Sequence, residues 1–138
     1  QWRPMIHVKD TSAAICFPLE AEKNAVNGQR FNVGANENNY QLGPLAETVV
    51  KTLPKPVKIE WYGDPDHRSY RVSFDKLEAL GFKCKYNARH GAMEVYEALE
   101  SGKLNRSPRT SSLEWYKELE KWHRIIREAE MYGGILDI

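Results

Sequence analysis

The sequence predicts a mixed domain of the α/β or α+β type, and two observations predict it. Apolar residues alternate with polar ones in some segments and recur at helical spacing in others, and turn residues (Gly, Pro, Asn) separate the two kinds of segment. The chain also has the means to fold: 138 residues with 41% hydrophobic and 28% charged content suit one globular unit with a core of moderate size, and exclude disorder as the main state.

The elements follow in order. Residues 5–8 read as a short apolar strand, after which the Asp10 carboxylate suits the free amides that open a helix holding Ala13, Ala14, Ile15 and Phe17. Pro18 removes a backbone donor and crowds the preceding turn, so this helix is expected to be short or kinked and to end near Ala21. Asn27 and Gly28 form a turn, and residues 31–34 read as a buried strand ended by Gly34. Leu42, Leu45, Ala46, Val49, Val50 and Leu53 keep helical spacing, with Pro44 in the first turn and Pro54 past the end. Val57, Ile59 and Trp61 alternate with Lys58 and Glu60 as a strand with one buried face would. Gly63, Asp64 and Pro65 turn the chain; Tyr70, Val72 and Phe74 alternate again; and a short helix from Asp75 to Leu80 closes at Gly81. Asn87 is placed to cap a helix carrying Ala92, Val95, Tyr96 and Leu99. Ser111 with Glu114 has the spacing of a capping box ahead of Leu113, Tyr116, Leu119, His123 and Ile126, in a helix expected to reach Tyr132. Residues 101–108 form a basic, polar linker between these last two helices.

Charge and cysteine usage narrow the function classes. Twenty Lys plus Arg against 19 Asp plus Glu give a net charge of +1, which supplies no global attraction for nucleic acid or an anionic membrane, so neither is expected as a partner. Any anion binding must be local. No apolar run approaches the roughly 20 residues of a membrane span, and Gln1, Trp2, Arg3 and Pro4 carry no signal-peptide pattern, so the expected location is cytoplasmic. Cys16 and Cys84 stand far apart beside apolar residues, and are expected to be buried free thiols. His67, His90 and His123 show no metal-ligand spacing, and no metal is expected.

Five words in a fixed order carry a resemblance. RPMIHVKD at residues 3–10, FNVG at 31–34, an amphipathic helix, DPDHRSYRVSFDKLEALGF at 64–82 and a helix ending in YEALESG at 96–102 succeed one another as they do near the end of nucleotide-sugar epimerases and dehydratases. The chain thus resembles the C-terminal portion of the NAD-dependent extended short-chain dehydrogenase/reductase family over residues 1–102. Residues 103–138 read as a linker and a helical extension that only some members carry.

The resemblance implies an incomplete Rossmann-type region with short strands and about five helices. It also implies site residues. In the family an Arg of the first motif and an Arg in the loop before the Lys and Leu-Gly helix approach the pyrophosphate of the nucleotide sugar; by position these are Arg3 and Arg68. The chemistry suits, because a guanidinium presents a planar fork of donors and stays charged. An ion pair of Arg68 with Asp64 or Asp66 is the competing reading. Asn39, with Asn36 and Asn38, follows a strand end where ligands meet α/β sheets, so Asn39 is a substrate-binding candidate, although capping is the commoner use of such residues. His7 reads as a hydrogen-bonded structural imidazole and Arg71 as exposed, on the side of its strand opposite Tyr70.

The family's catalytic apparatus does not appear in these residues. There is no Gly-x-x-Gly-x-x-Gly to receive a dinucleotide and no Tyr-x-x-x-Lys pair; Tyr116 to Glu120 offers only Tyr and Glu at that interval. No catalytic residue is therefore assigned, and the cofactor, NAD(P), is implied only for the complete family enzyme. With Gln1 only two residues before the first motif, the cofactor-binding half is expected to lie outside this chain. Two functions follow as expectations: a portion that binds a nucleoside diphosphate sugar, weakly if at all, or a non-catalytic assembly protein that keeps a remnant of the fold. In either case an exposed edge at the 31–34 strand or the C-terminal helix, with Trp115, Tyr116, Trp122 and Tyr132, is expected to drive homo-oligomer formation, most simply a twofold dimer.

Overall fold

A computed structural model describes residues 1–63, 67–105 and 107–131. Among them the chain is mixed α+β and mostly helical. Strand β1 (Trp2–Pro4) pairs antiparallel with β2 (Asn39–Gln41), Trp2 facing Gln41, Arg3 facing Tyr40 and Pro4 facing Asn39. The helices are α1 (Val8–Glu20), α2 (Lys23–Val26), α3 (Leu42–Thr52), α4 (Asp75–Glu78), α5 (Ala88–Glu100) and α6 (Ser112–Met131). Two compact units divide the chain, Gln1–Tyr96 and Glu97–Ile138.

The helices obey their sequence signals, with one exchange of roles. Helix α1 contains Pro18 and ends at Glu20, one residue before the expected stop. Its cap is His7, whose ring nitrogen accepts from the Lys9 N–H, rather than Asp10. Asp10 lies in the first turn and is 2% exposed. Helix α3 begins with Pro44 in its first turn, and its apolar residues are half-buried while Glu47 and Lys51 face solvent. Helix α4 is short and is followed by Gly81 at φ 97°, a left-handed conformation that favours glycine. Asn87 caps α5, its side-chain oxygen accepting from the N–H groups of Arg89 (3.1 Å) and His90 (3.3 Å). At α6 the Ser111 carbonyl accepts from the Trp115 N–H, and the reciprocal Ser/Thr bonding falls one turn earlier, where Ser107 N donates to Thr110 Oγ1 (3.0 Å) and that hydroxyl donates to the Ser107 carbonyl (2.8 Å). Tyr132 lies outside the described residues.

The core of the first unit is small. Ala14 of α1, Leu77 of α4 and Phe82 are buried, with Phe17, Phe31, Val33 and Cys84 packed against them, and Phe17 meets Phe82 edge to face at 5.6 Å. Phe74, 4% exposed, lies over Gly34 so closely that a Cβ there would stand 2.5 Å from its ring.

The expected strands at 5–8, 31–34, 57–61 and 70–74 are corrected: those residues form no ladder. Of the inward set expected at 57–61 only Ile59 is half-buried, while Val57 and Trp61 are 46% and 70% exposed. At 70–74 the inward alternation is real, with Phe74 buried, Val72 half-buried and Tyr70 at the rim. What replaces the ladder is side-chain bonding to backbone, and it comes from the Asn-rich turn. Asn36, the start of a 3-10 turn (Asn36–Asn38), accepts from the Phe74 N–H (3.2 Å). Asn38 Nδ2 donates to the Tyr86 carbonyl (3.1 Å), and Asn39 pairs with both backbone groups of Val72. Asp10 completes the set: its two oxygens accept from the N–H groups of Lys85 (2.9 Å) and Tyr86 (3.0 Å). A buried polar side chain must find partners, and here the partners are the backbone groups of extended segments that lack a neighbouring strand. Residues 31–34 pair with no strand among the described residues.

Candidate functional site

The N-terminal strand and residues 68–72 meet at one corner. Trp2 N donates to Ser69 Oγ (3.0 Å), Tyr70 N to the Trp2 carbonyl (3.3 Å), and Gln1 Nε2 to the Arg68 carbonyl (2.8 Å). Arg3 Nη1 donates to the same Arg68 carbonyl and to the Trp2 carbonyl (3.0 Å), while its guanidinium carbon sits 5.2 Å from the centre of the Tyr70 ring. On the other side of the strand, Arg71 lies 4.8 Å from the centre of the Trp2 indole and is exposed, as its position in the alternation predicts. The Arg3 guanidinium thus reaches the backbone of Arg68, 65 residues away in sequence, with the Tyr70 ring beside Arg3 and the Trp2 ring beside Arg71. The competing ion pair of Arg68 involves Asp64 and Asp66, which lie outside the described residues.

A groove of about 280 Å³ continues from this corner, lined by Pro4, Met5, Ile6, Asn32, Val33, Tyr70, Val72 and Phe74. Its floor is apolar, and Asn32 Nδ2 is tied to the Ser73 carbonyl (3.2 Å). Tyr70, 53% exposed, joins the groove to the arginine corner. Sequence reading placed Tyr70 in a strand and missed its part in the corner; its alternation with Arg71, directly after Arg68, was the available signal. Asn39 is 8% exposed and directs its amide to the Asn36 carbonyl (3.1 Å) and to Val72, so its described contacts organise the backbone behind the groove.

A second polar cluster joins α1 to α5. His7 Nε2 lies 2.7 Å from Glu94 Oε2, Lys9 Nζ donates to Glu94 Oε1, and the imidazole stacks on Tyr86 at 4.6 Å. Because His7 Nδ1 accepts from the Lys9 N–H, the neutral ring carries its hydrogen on Nε2 and donates it to Glu94. Both nitrogens are committed, so the imidazole is a clamp, as the sequence predicted. The hydrogen bonds from Lys9 and then His7 hold the Glu94 carboxyl below its ordinary range, and the bond to Glu94 raises the Lys9 ammonium. Nothing in the sequence linked Glu94 to residues about 85 positions earlier.

The thiols differ from expectation in one respect: both are free, but Cys16 is exposed and only Cys84 is partly buried. Burial, reinforced by the Asp10 carboxylate, pushes the Cys84 thiol up to about 11, which makes it a poor nucleophile at neutral pH. The Asp75 carboxyl is lowered by hydrogen bonds from Ser73 and then Asn36. Among the described residues no group of three or more His, Cys, Asp or Glu converges to hold a metal ion, and no helix is long and apolar enough to cross a membrane.

The dinucleotide implied for the complete family enzyme does not fit the one described strand that runs straight into a helix. Strand β2 ends at Gln41 and α3 begins at Leu42, so no Gly-rich loop separates them, and Pro44 in the first turn has no N–H to offer a phosphate. No family model and no solved structure matches the chain.

Proposed function

We propose that this chain is the nucleotide-sugar-binding portion of an NAD-dependent epimerase or dehydratase of the extended short-chain dehydrogenase type, an incomplete Rossmann-type region that does not transfer hydride by itself. One observation carries the reading: the two motif arginines assigned by resemblance to the pyrophosphate are neighbours, Arg3 donating to the Arg68 carbonyl beside the Tyr70 ring. The diphosphate meets the guanidinium corner, where charge-assisted hydrogen bonds are strongest, and the less polar part of the ligand extends along the groove past Tyr70. Asn39 acts on the ligand only through Val72, whose backbone it fixes.

The contacts supply a clean test. Gln1 and Arg3 bond to the backbone carbonyl of Arg68, so Arg68→Ala removes the guanidinium and keeps those bonds. Calorimetric titration with UDP-glucose is expected to show weak binding to the native chain and a loss of about tenfold or more in Arg68→Ala, with the fold retained in far-ultraviolet circular dichroism. Absence of heat at millimolar ligand contradicts the reading.

A second reading, a non-catalytic assembly protein, is favoured by a different observation. Helix α6 exposes Leu119, Trp122 and Ile126 at 43%, 52% and 46%. A chain cut before Ser111 that stays folded and equally associated removes this helix from assembly.

A further inference from the structure

The groove beside the arginine corner selects which end of a nucleotide sugar enters it. Met5, Ile6, Val33, Val72 and Phe74 line it with apolar side chains, and no charged residue lines it. Several of the hydrogen-bonding groups that border it are engaged within the protein. Pro4 has no N–H; the Met5 N–H donates to the Asn38 carbonyl (3.0 Å), the Phe74 N–H to Asn36 Oδ1 (3.2 Å) and Asn32 Nδ2 to the Ser73 carbonyl (3.2 Å). Val72 directs both its N–H and its carbonyl to Asn39. A hexose buried here would give up water at each hydroxyl and find few partners in return. A nucleobase needs less, because its faces are apolar and its polar edge can stay in solvent along the open side of the groove.

Tyr70 is the platform for that ring. It lines the groove, is 53% exposed, and carries the Arg3 guanidinium 5.2 Å from its centre. We infer that the groove takes the nucleobase, stacked on Tyr70, so that this site reads the nucleoside diphosphate and leaves the hexose outside. The order of groups matches the ligand: the arginine that meets the diphosphate packs against the ring that meets the base, and in the ligand a single ribose joins the two. Stacking on an aromatic face tolerates any base, so selection among pyrimidines follows their apolar surface rather than their hydrogen-bonding edges. This inference rests on the nucleotide-sugar reading and adds to it the direction in which the ligand lies.

Calorimetric titration of the full chain with a ligand series tests it. UDP and UDP-glucose are expected to bind within about twofold of each other, and glucose 1-phosphate and inorganic pyrophosphate at least about fivefold more weakly than UDP, since neither carries a base to stack. The 5-methyl derivative of UDP is expected to bind about two- to threefold more tightly than UDP, through one added methyl group on an apolar surface. Tyr70→Ala is expected to bring UDP down to the affinity of pyrophosphate, while Tyr70→Phe, which keeps the ring, binds UDP as the native chain does. UDP-glucose binding about tenfold or more tightly than UDP would place the hexose in the groove and overturn this inference alone. Pyrophosphate binding as tightly as UDP in the native chain overturns it as well, since the groove then contributes nothing. Absence of binding by every ligand at millimolar concentration overturns both this inference and the nucleotide-sugar reading.

Discussion

The side-chain amide of Asn39 binds the backbone of Val72 on both sides, Nδ2 donating to its carbonyl at 2.9 Å and Oδ1 accepting from its N–H at 2.9 Å. This is the double bond pattern of an antiparallel pair, supplied by a side chain. Together with the bond from the Tyr70 N–H to the Trp2 carbonyl of β1, it holds the segment that carries Arg68 and Tyr70. Replacing Asn39 by Asp keeps the acceptor and puts a carboxylate oxygen in place of the donor, facing two carbonyls, those of Val72 and Asn36. Urea denaturation of Asn39→Asp is expected to show a loss of about 3 kcal/mol at neutral pH, because a buried charge is left unpaired. The loss shrinks at acid pH, where the protonated carboxyl can donate again. A stability equal to that of the native chain contradicts the stapling role.

Gly34 is required by its neighbour. An alanine methyl there would lie 2.5 Å from Phe74 Cε1 and 2.6 Å from Cζ, and the ring is buried with little room to withdraw. Overpacking of this kind costs about 1–3 kcal/mol. Gly34→Ala is expected to destabilise by that amount, and Gly34→Ala with Phe74→Leu by less than the sum of the two single changes. Strict additivity in that cycle contradicts the contact.

The His7, Lys9 and Glu94 cluster sets a pH dependence with a definite sign. Glu94 is lowered from 4.5 in the fold, so its stabilising share is complete above the unfolded value and is lost as pH falls through the folded one. Lys9 is raised from 10.5, so its share is complete below that value and is lost as pH rises through the folded one. Between the two the contribution is flat. Carboxyl NMR titration is expected to find the Glu94 midpoint below 4.5 and to see it climb in Lys9→Met, whose side chain no longer donates to Oε1. A midpoint unmoved by that change contradicts the pairing.

Helix positions were legible because their signals are local: Pro44 opening α3, Asn87 capping α5 and Gly81 closing the turn after α4 each act within a few residues. The strands were misread because alternation reports which side of an extended segment is buried, not what binds its backbone. Residues 70–74 have the buried side that was expected, yet Asn36 and Asn39 take the place of a strand. Asp10 shows the same limit. Its position suits a cap, but Lys85 and Tyr86, 75 and 76 residues away, are what it binds. At the candidate site, the resemblance singled out Arg3 and Arg68, while Tyr70 and the groove emerged only when distant segments met.

The central claim, that the Arg3 and Arg68 corner binds a nucleoside diphosphate sugar, is tested most directly by following backbone amide signals of the full chain during titration with UDP-glucose. The account predicts saturable shifts concentrated at Trp2, Arg3, Arg68, Ser69 and Tyr70, reduced in Arg68→Ala and spreading to Val33 and Val72 along the groove. Signals that stay still at those residues at millimolar ligand, or that move only elsewhere in the chain, would contradict it.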